Sequence, residues 1–471
     1  MKLEELLSGG AGPEGIRRLL FSASSRRILH QELGALASAP QAMGRCYFQH
    51  ARFKVIPEAK LSACFHLSLR NGAFDGSGPR AVSVTWKPKW VGRLSANGAN
   101  SDVIQMEYEA LLRGLAAPFR RLSARVPAWG MRIEIFPLDP MFPQLVRWSD
   151  GPYVCRMVAA RCATTRLPAA PVAKGRVEVE AVRYVPGQRH VLRYNFFGPA
   201  RRSNLYAKVY RDDGQAIGVF NVAKGMAEWL RANGKEVAVL RPLEHVADDA
   251  VVLYPRVTGE PLQAQLSRGG RETERALKRA GQAIRALHEA PPALAGSIKP
   301  HDLEAEVEEI RKKSGVLSVL IPSAGPAIAG FLEGARELSR RFPQELPTFT
   351  HGDVKAEHFW LTPDGVTVLD LDSCRLGDPA LDLGQFLAEL HLWPDLFGES
   401  AVEQAQERFL AGYAPGVPRD RLVRARFYEP LELVRAAARR VPLWDRGWEN
   451  RVARFVHRAI RILDGLRKKC G

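Results

Sequence analysis

The strongest constraint on this chain is a change of character at Gly259. Ahead of it, short β-type runs alternate with one helix-like run; beyond it the periodicity is helical, broken once by a loop dense in aspartate. VEAVRYVP and HVLRYNFF are rich in β-branched and aromatic residues, PGQR turns between them, and LYAKVYR comes next as a third strand bearing Lys208. AIGVFNVAKGMAEWLRANG then reads as a helix that Gly234 ends. VAVLRPLEHVADDAVVLYPRV adds two strands joined by a polar turn at Asp248 and Asp249. The predicted order is therefore β-β-β-α-β-β. Past Gly259, ETERALKRAGQAIRALHEA and the stretches 303–313 and 325–341 carry apolar residues at helical spacing. A loop–strand segment occupies 348–372, and a basic, mostly helical tail completes the pattern.

With 471 residues the chain is too long for one ordinary core. Its 46% hydrophobic and 25% charged residues are those of a soluble globular protein. No apolar run approaches the roughly 20 residues that span a bilayer, and the start, MKLEELLSGGAGPEG, lacks a secretory apolar core, so the expected location is the cytoplasm. Cys46, Cys64, Cys155, Cys162, Cys374 and Cys470 are scattered, which argues against a disulfide framework or a zinc site. The net charge of +17 is spread along the chain without any nucleic-acid-binding motif. Neither a nucleic-acid partner nor a membrane is expected. The sequence leaves the oligomeric state open.

The first 170 residues contain an echo of the β-rich stretch that begins near residue 180. RFKVIPEAKLSACFHLSLRN parallels AVRYVPGQRHVLRYNFF, matching Pro57 to Pro186, Lys60 to Arg189 and Phe65 to Tyr194. AVSVTWK parallels LYAKVYR and sets Thr85 opposite Lys208, and EYEALLRGL parallels the next helix. The expected organisation is an α/β region over 1–170, a degenerate copy of the β-rich lobe, then that lobe over 175–258 and a helical lobe over 259–471. Residues 136–148 and 166–175 read as the connection between copies.

Phosphoryl transfer needs a carboxylate to orient and deprotonate the acceptor, oxygen ligands for a divalent metal, and a lysine for the phosphates. This chain offers such groups in order. Lys208 lies on a strand, and Glu228 on the next helix is placed to pair with it. Asp353 comes after His351 and Gly352 in HGDVKAEHF, and TVLDLDS reads as a strand ending in Asp370 and Asp372. RLGDPALDLG supplies Asp378, at a helix start, and Asp382.

HGDVKAEHF with LDLDSCRLGDPALDLG resembles the aminoglycoside phosphotransferase and choline kinase superfamily, whose pattern is HGDxxxxN followed by IDxxxxxxGDPxxDLA. The resemblance implies an α+β, two-lobed protein-kinase-like fold: a β-rich small lobe and a mainly helical large lobe, here with an additional α/β N-terminal region. It implies Asp353 as catalytic base, Asp370 as the main magnesium ligand, Lys208 on the phosphates with Glu228 holding it, and His351 and Asp378 bracing the loop. Tyr254 to Val257, including Arg256, would be the hinge beside the adenine. The PGQR turn would cover the phosphates, with Arg189 as a contact, although Gly187 is its single glycine. His288, in a shared LH pair, would pack.

One position departs from the pattern: His358 stands where the family has asparagine. A neutral imidazole ligates metal through nitrogen, which suits manganese better than magnesium; alternatively it hydrogen-bonds Asp353 and holds the loop. Asp372 or Glu357 would then supply the missing oxygen. An active variant, a changed metal preference, and a non-catalytic pseudokinase-like nucleotide-binding or scaffold protein all stay open, and the intact Lys208, Asp353 and Asp370 favour the first. The expected activity is a kinase using ATP (or GTP) with Mg2+ (or Mn2+) to phosphorylate a small-molecule hydroxyl such as a sugar, amino alcohol or aminoglycoside. Asp353, Glu357, Asp364, Asp370, Asp372, Asp378 and Asp382 make the loop acidic. The basic tail, with Arg435, Arg439, Arg440, Arg446 and Arg451, argues for a neutral or anionic acceptor.

Overall fold

The computed structural model describes all residues except 1–11, 40–42, 56–57, 70–78, 92–100, 163–175, 198–201, 297–299, 344, 364, 393, 443–444 and 471. Pro57, Asp364 and the connecting residues 166–175 thus lie outside the described residues. The chain forms two compact units. The first holds residues 1–217, 243–256 and 442–446; the second holds 218–242, 257–441 and 447–471. The fold is α+β, and one boundary falls between Arg256 and Val257.

The first unit contains two five-stranded antiparallel sheets. One is built from β1 (Met43–Lys54), β2 (Lys60–Leu69), β3 (Arg80–Trp86), β4 (Ser123–Val126) and β5 (Met131–Ile135), in the order β1-β2-β3-β5-β4. The other uses β6 (Arg176–Val185), β7 (Arg189–Phe197), β8 (Arg202–Val209), β10 (Glu244–Val246) and β11 (Val251–Pro255), in the order β6-β7-β8-β11-β10. These are one plan used twice, and the registers agree. Ser62 pairs with Thr85 between β2 and β3, and Val191 pairs with Lys208 between β7 and β8. A helix comes after the third strand in both, Ser101–Leu112 and Asp213–Ala232. A 3-10 turn joins the last two strands in both, Pro127–Trp129 and Ala247–Asp249. Each turn ends on a left-handed residue, Gly130 at φ 49° and Ala250 at φ 50°. The expected strand across 237–246 is split. Pro242 has no N–H for a ladder, and Val237–Val239 instead becomes β9 of the second unit, parallel to β16 (Val366–Val368).

β7 shows why the second sheet forms: buried and half-buried residues alternate strictly along Arg189–Phe197, the period-two pattern of a sheet with one covered face. The cover is the segment expected to be a mere connection. Phe142, Leu145, Trp148, Val154 and Val158 share one core with Leu192, Tyr194, Phe196, Leu205 and Ala207. Polar anchors fix this packing. Trp148 Nε1 and Tyr153 Oη both donate to Asp249 Oδ2 at 2.7 Å, and Tyr194 Oη donates to the Trp148 carbonyl at 2.8 Å.

Asp139 does the same for the PGQR turn. Its carboxylate accepts from Gly187 N at 2.6 Å and Met141 N at 3.0 Å, and it meets His190 Nε2 at 2.8 Å. His190 is fully buried and Asp139 nearly so. Gly187 sits at φ 69°, which only glycine adopts cheaply.

The second unit is mainly helical, with two small sheets in the orders β12-β15-β16-β9 and β13-β17-β14, where β12 is Glu260–Pro261, β13 Pro300–His301, β14 Thr348–Thr350, β15 Phe359–Leu361 and β17 Arg375–Gly377. Helices Gly270–His288, Pro379–Leu390 and Arg419–Arg439 bury long stretches of their sequence. Gly281 and Gly412 are required where helices Gly270–His288 and Pro394–Tyr413 meet, because a side chain at either would overlap the other helix's backbone.

Asp139→Ala should remove three partners at once and leave Gly187 N and His190 unsatisfied in the interior. The expected loss is about 2–4 kcal/mol in the denaturant transition of the first unit, read by urea unfolding.

Candidate active site

The candidate site is built around a loop that leaves β14 and is held from behind by one fully buried carboxylate. Asp382 lies one turn into the helix Pro379–Leu390. Its Oδ2 accepts from His351 N at 2.6 Å and its Oδ1 from Gly352 N at 2.8 Å. His288 Nε2 meets Oδ2 at 3.0 Å, and His288 Nδ1 meets Tyr413 Oη at 2.8 Å. Burial raises the Asp382 pKa, but the hydrogen bonds and charge of His288 hold it below the ordinary value. The network continues outward: Arg421 donates to Tyr413 Oη at 2.8 Å and pairs with Glu345, which also pairs with Arg424. Arg424 reaches Asp378 at 2.8 Å, and Asp378 caps the helix through Ala380 N at 2.9 Å.

Gly352 turns the loop at φ 72°, and a Cβ there would overlap the Ser373 carbonyl. His351 Nε2 donates to the Leu369 carbonyl at 2.9 Å, because a carbonyl only accepts, so Nδ1 is left to accept from Asp353 N at 3.3 Å. Val354 N donates to Gln385 Oε1 at 2.6 Å. These bonds aim Asp353, which is nearly buried. Burial pushes its carboxyl up, but the Lys355 ammonium at 2.6 Å, aided by His358 and His351, pulls it down to about 2.

The opposite wall is a short hairpin, β15 with β16. β16 stops at Val368, before the strand expected through 373 would end. Asp370 takes the left-handed conformation at φ 64°, ψ 60°, and Leu371–Ser373 closes into a 3-10 turn. A non-glycine residue there costs roughly 1–2 kcal/mol, less for aspartate, whose short side chain bonds locally. The break in register parts Asp372 from Asp370.

His358 fills the loop-holding role left open for it, and its second ring nitrogen faces Asp370. Its Nδ1 donates to the Asp353 carbonyl at 2.9 Å, which leaves the lone pair on Nε2. That nitrogen lies 3.5 Å from Asp370 Oδ2, and burial pushes the imidazole down to about 4, so it is neutral at physiological pH. A lone pair facing a carboxylate has no proton to share. Asp353, His358 and Asp370 each offer a ligand atom, all within 4.8 Å of one another. Asp372 and Glu357 are not in this set.

Of the other predicted residues, Lys208, Arg189, Tyr254 and Arg256 belong to the first unit, and Glu228 and Val257 to the second. Lys208 Nζ lies 5.7 Å from the Tyr210 ring centroid. Glu228 accepts from Arg241 at 2.9 Å within its own unit. Sequence reasoning assigned no role to Lys355, Gln385 or Tyr413 and underrated Asp382. Lys355 lies two residues from Asp353 and Asp382 lies within the quoted motif, so both were visible. The Gln385 and Tyr413 contacts depend on tertiary folding.

The chain belongs to the phosphotransferase enzyme family, whose model matches residues 191–461. That match places it in the class of phosphotransferases. No curated protein sequence matches it significantly. Among solved structures it is similar to a choline/ethanolamine kinase family protein from Mesorhizobium loti, at 17% identity and TM-score 0.44, over 66% of this chain and 99% of that one. It is similar to an aminoglycoside phosphotransferase from Streptomyces rimosus in complex with ADP and streptomycin, at 20% identity and TM-score 0.37, over 60% and 98% of the chains. An amicoumacin kinase in complex with AMP-PNP, Ca2+ and Ami matches at 15% identity and TM-score 0.44, over 66% and 93% of the chains.

Asp382→Ala should release the loop amides and strip His288 of its acceptor. We expect a drop in stability of about 3–5 kcal/mol and loss of activity beyond what residual folded protein explains, checked by thermal unfolding alongside turnover.

Proposed function

We propose that this protein transfers the γ-phosphoryl group of ATP to a hydroxyl of a small molecule, with Asp353 as the base. The observation that carries the reading is the convergence of Asp353, His358 and Asp370 in a chain of the phosphotransferase family. Asp370 through oxygen and His358 through Nε2 would hold a divalent cation, which when bound supplies neutralisation of phosphate charge. The donor set fits that group: a strained carboxylate, a neutral imidazole lone pair and a second carboxylate, with no proton among them. Asp353 stays ionised across the physiological range, so it accepts a hydrogen bond from the acceptor hydroxyl and takes its proton as the new P–O bond forms. Lys355 is placed to offset charge on the transferred group and to keep Asp353 ionised. By the family pattern, Lys208 is assigned to the nucleotide phosphates, Arg189 to the turn over them, and Tyr254, Arg256 and Val257 to the base, while Glu228, the expected partner of Lys208, is engaged by Arg241.

The N-terminal sheet repeats the plan of the second sheet but carries Thr85, nearly buried, where the second carries Lys208. On this reading it is a supporting copy. It and the segment after it hold the PGQR turn and the covered face of β7.

Two measurements test the assignment. Wild type and Asp353→Ala are incubated with ATP, Mg2+ or Mn2+ and a panel of hydroxyl compounds, with ADP formation as readout; removing the base should cost about 10²–10⁴-fold, and equal rates would refute its role. His358→Asn replaces a nitrogen ligand with an amide oxygen. It should shift the Mg2+-over-Mn2+ rate ratio upward by about tenfold or more, and an unchanged ratio would remove His358 from the metal.

A further inference from the structure

Next to Asp353, on different elements from His358 and Asp370, lies a second cluster of charge, whose Glu306 and Glu309 also lie within ligand spacing of His301. It draws Lys313 from the helix Leu303–Leu320, Arg375 from β17, and Arg435 and Arg439 from the helix Arg419–Arg439. Glu306, Glu309 and Glu432 answer these four cations. The Asp353 carboxylate acts electrostatically on Lys313, Arg375 and Glu432, and the Arg375 Nε lies 3.2 Å from where a side chain on Gly352 would begin. The cluster therefore borders the base itself.

The pairing inside it is layered. Glu306 is fully buried, and Arg435 and Glu432 nearly so. Arg435 pairs with Glu306 and, at 3.3 Å, with Glu432. Arg375 reaches Glu306 at 3.5 Å and Glu309 at 3.7 Å, longer than a good charge-assisted bond, and its buried Nε has no hydrogen-bond partner among the described residues. Lys313 pairs with Glu309. The buried carboxylates Glu306 and Glu432 are thus claimed from within, and Glu309, about as exposed as Lys313, is held by Lys313 and Arg375. Arg439 is exposed, with no ion-pair partner among the described residues. Burial, then the neighbouring Arg439, pushes Lys313 down to about 8, the effect of one cation crowding another, which an anion bound between them would relieve.

We propose that the acceptor is an anion: a hydroxyl compound whose phosphate or carboxylate docks on Lys313, Arg375 and Arg439 while its hydroxyl meets Asp353. This deepens the phosphotransfer reading and rests on it. A polycationic acceptor would need unclaimed carboxylates at this place, and the described ones are engaged by arginine or lysine. A planar guanidinium beside an ammonium suits two or three anionic oxygens. No covalent step is added: the anion only binds, and the phosphoryl group still moves to the hydroxyl oxygen.

The test compares acceptors matched except in charge: glycerol against glyceric acid and glycerol phosphate, glucose against gluconate and glucose phosphate, with streptomycin as the cationic arm. We expect kcat/KM for the anionic members to exceed that for their neutral counterparts by about tenfold or more; the carboxylate and phosphate arms show which anion is taken. Arg439→Glu should lower that anionic-over-neutral ratio by roughly 5–30-fold, and Arg439→Lys should largely keep it. Turnover confined to neutral or cationic acceptors, with Asp353→Ala still inactive, would overturn this inference alone. Absence of acceptor-dependent ADP formation across the whole panel would overturn the phosphotransfer reading and this inference with it. A ratio unmoved by Arg439→Glu would restrict the cluster to a structural ion network and refute the docking role.

Discussion

The site depends on one buried carboxylate. Asp382 is sealed from water, yet it stays ionised because two loop amides and His288 give it hydrogen bonds. A charge buried without such partners would cost several kcal/mol. In return, two adjacent peptide planes are fixed just ahead of Asp353. The loop's shape is therefore set from the helical side, through His288, Tyr413 and the arginines beyond, together with the bonds that His351 and His358 make within it. Gly352 is the counterpart of this constraint: with the amides pinned, the chain must pass too close to the Ser373 carbonyl for any side chain.

The histidine at 358 obeys the same economy of hydrogen bonds. An imidazole has two distinct nitrogens, and fixing one by a backbone carbonyl decides what the other presents. The bond from Nδ1 to the Asp353 carbonyl ties the loop to its own base and turns Nε2 toward Asp370. One residue thus supports the loop through one nitrogen and leaves the other facing a carboxylate. The left-handed Asp370 is the other half of the arrangement, since a regular strand would have carried its carboxylate on along β16 and kept Asp372 on the same face.

Much of this was legible before the structure. Alternation along β7, the glycine stop at Gly234 and the helical spacing after Gly259 are local signals, and local physics carried them through. The parallel between the two sheets was visible as well, down to Thr85 standing at the position of Lys208, because both sheets share one strand order and place a helix after the third strand. What the chain hid was long-range. Nothing near residues 136–158 says that they cover the second sheet, and Asp139 reveals its partners only when Gly187 and His190 fold onto it. Residues 237–239 look like the start of a strand in the second sheet, but Pro242 breaks the ladder and they join another.

The sequence by itself pointed to the class of chemistry, since the order and spacing of His351, Asp353, Asp370, Asp378 and Asp382 resemble the aminoglycoside phosphotransferase and choline kinase pattern. It also determined the alternation of elements, because turn residues and hydrophobic period act over a few positions. Only the tertiary structure decided which nitrogen of His358 faces Asp370, that Asp382 pins the loop, and that the cations beside Asp353 have their buried carboxylates claimed from within. Those outcomes turn on hydrogen-bond geometry and burial between residues tens of positions apart, and a linear pattern holds no record of either.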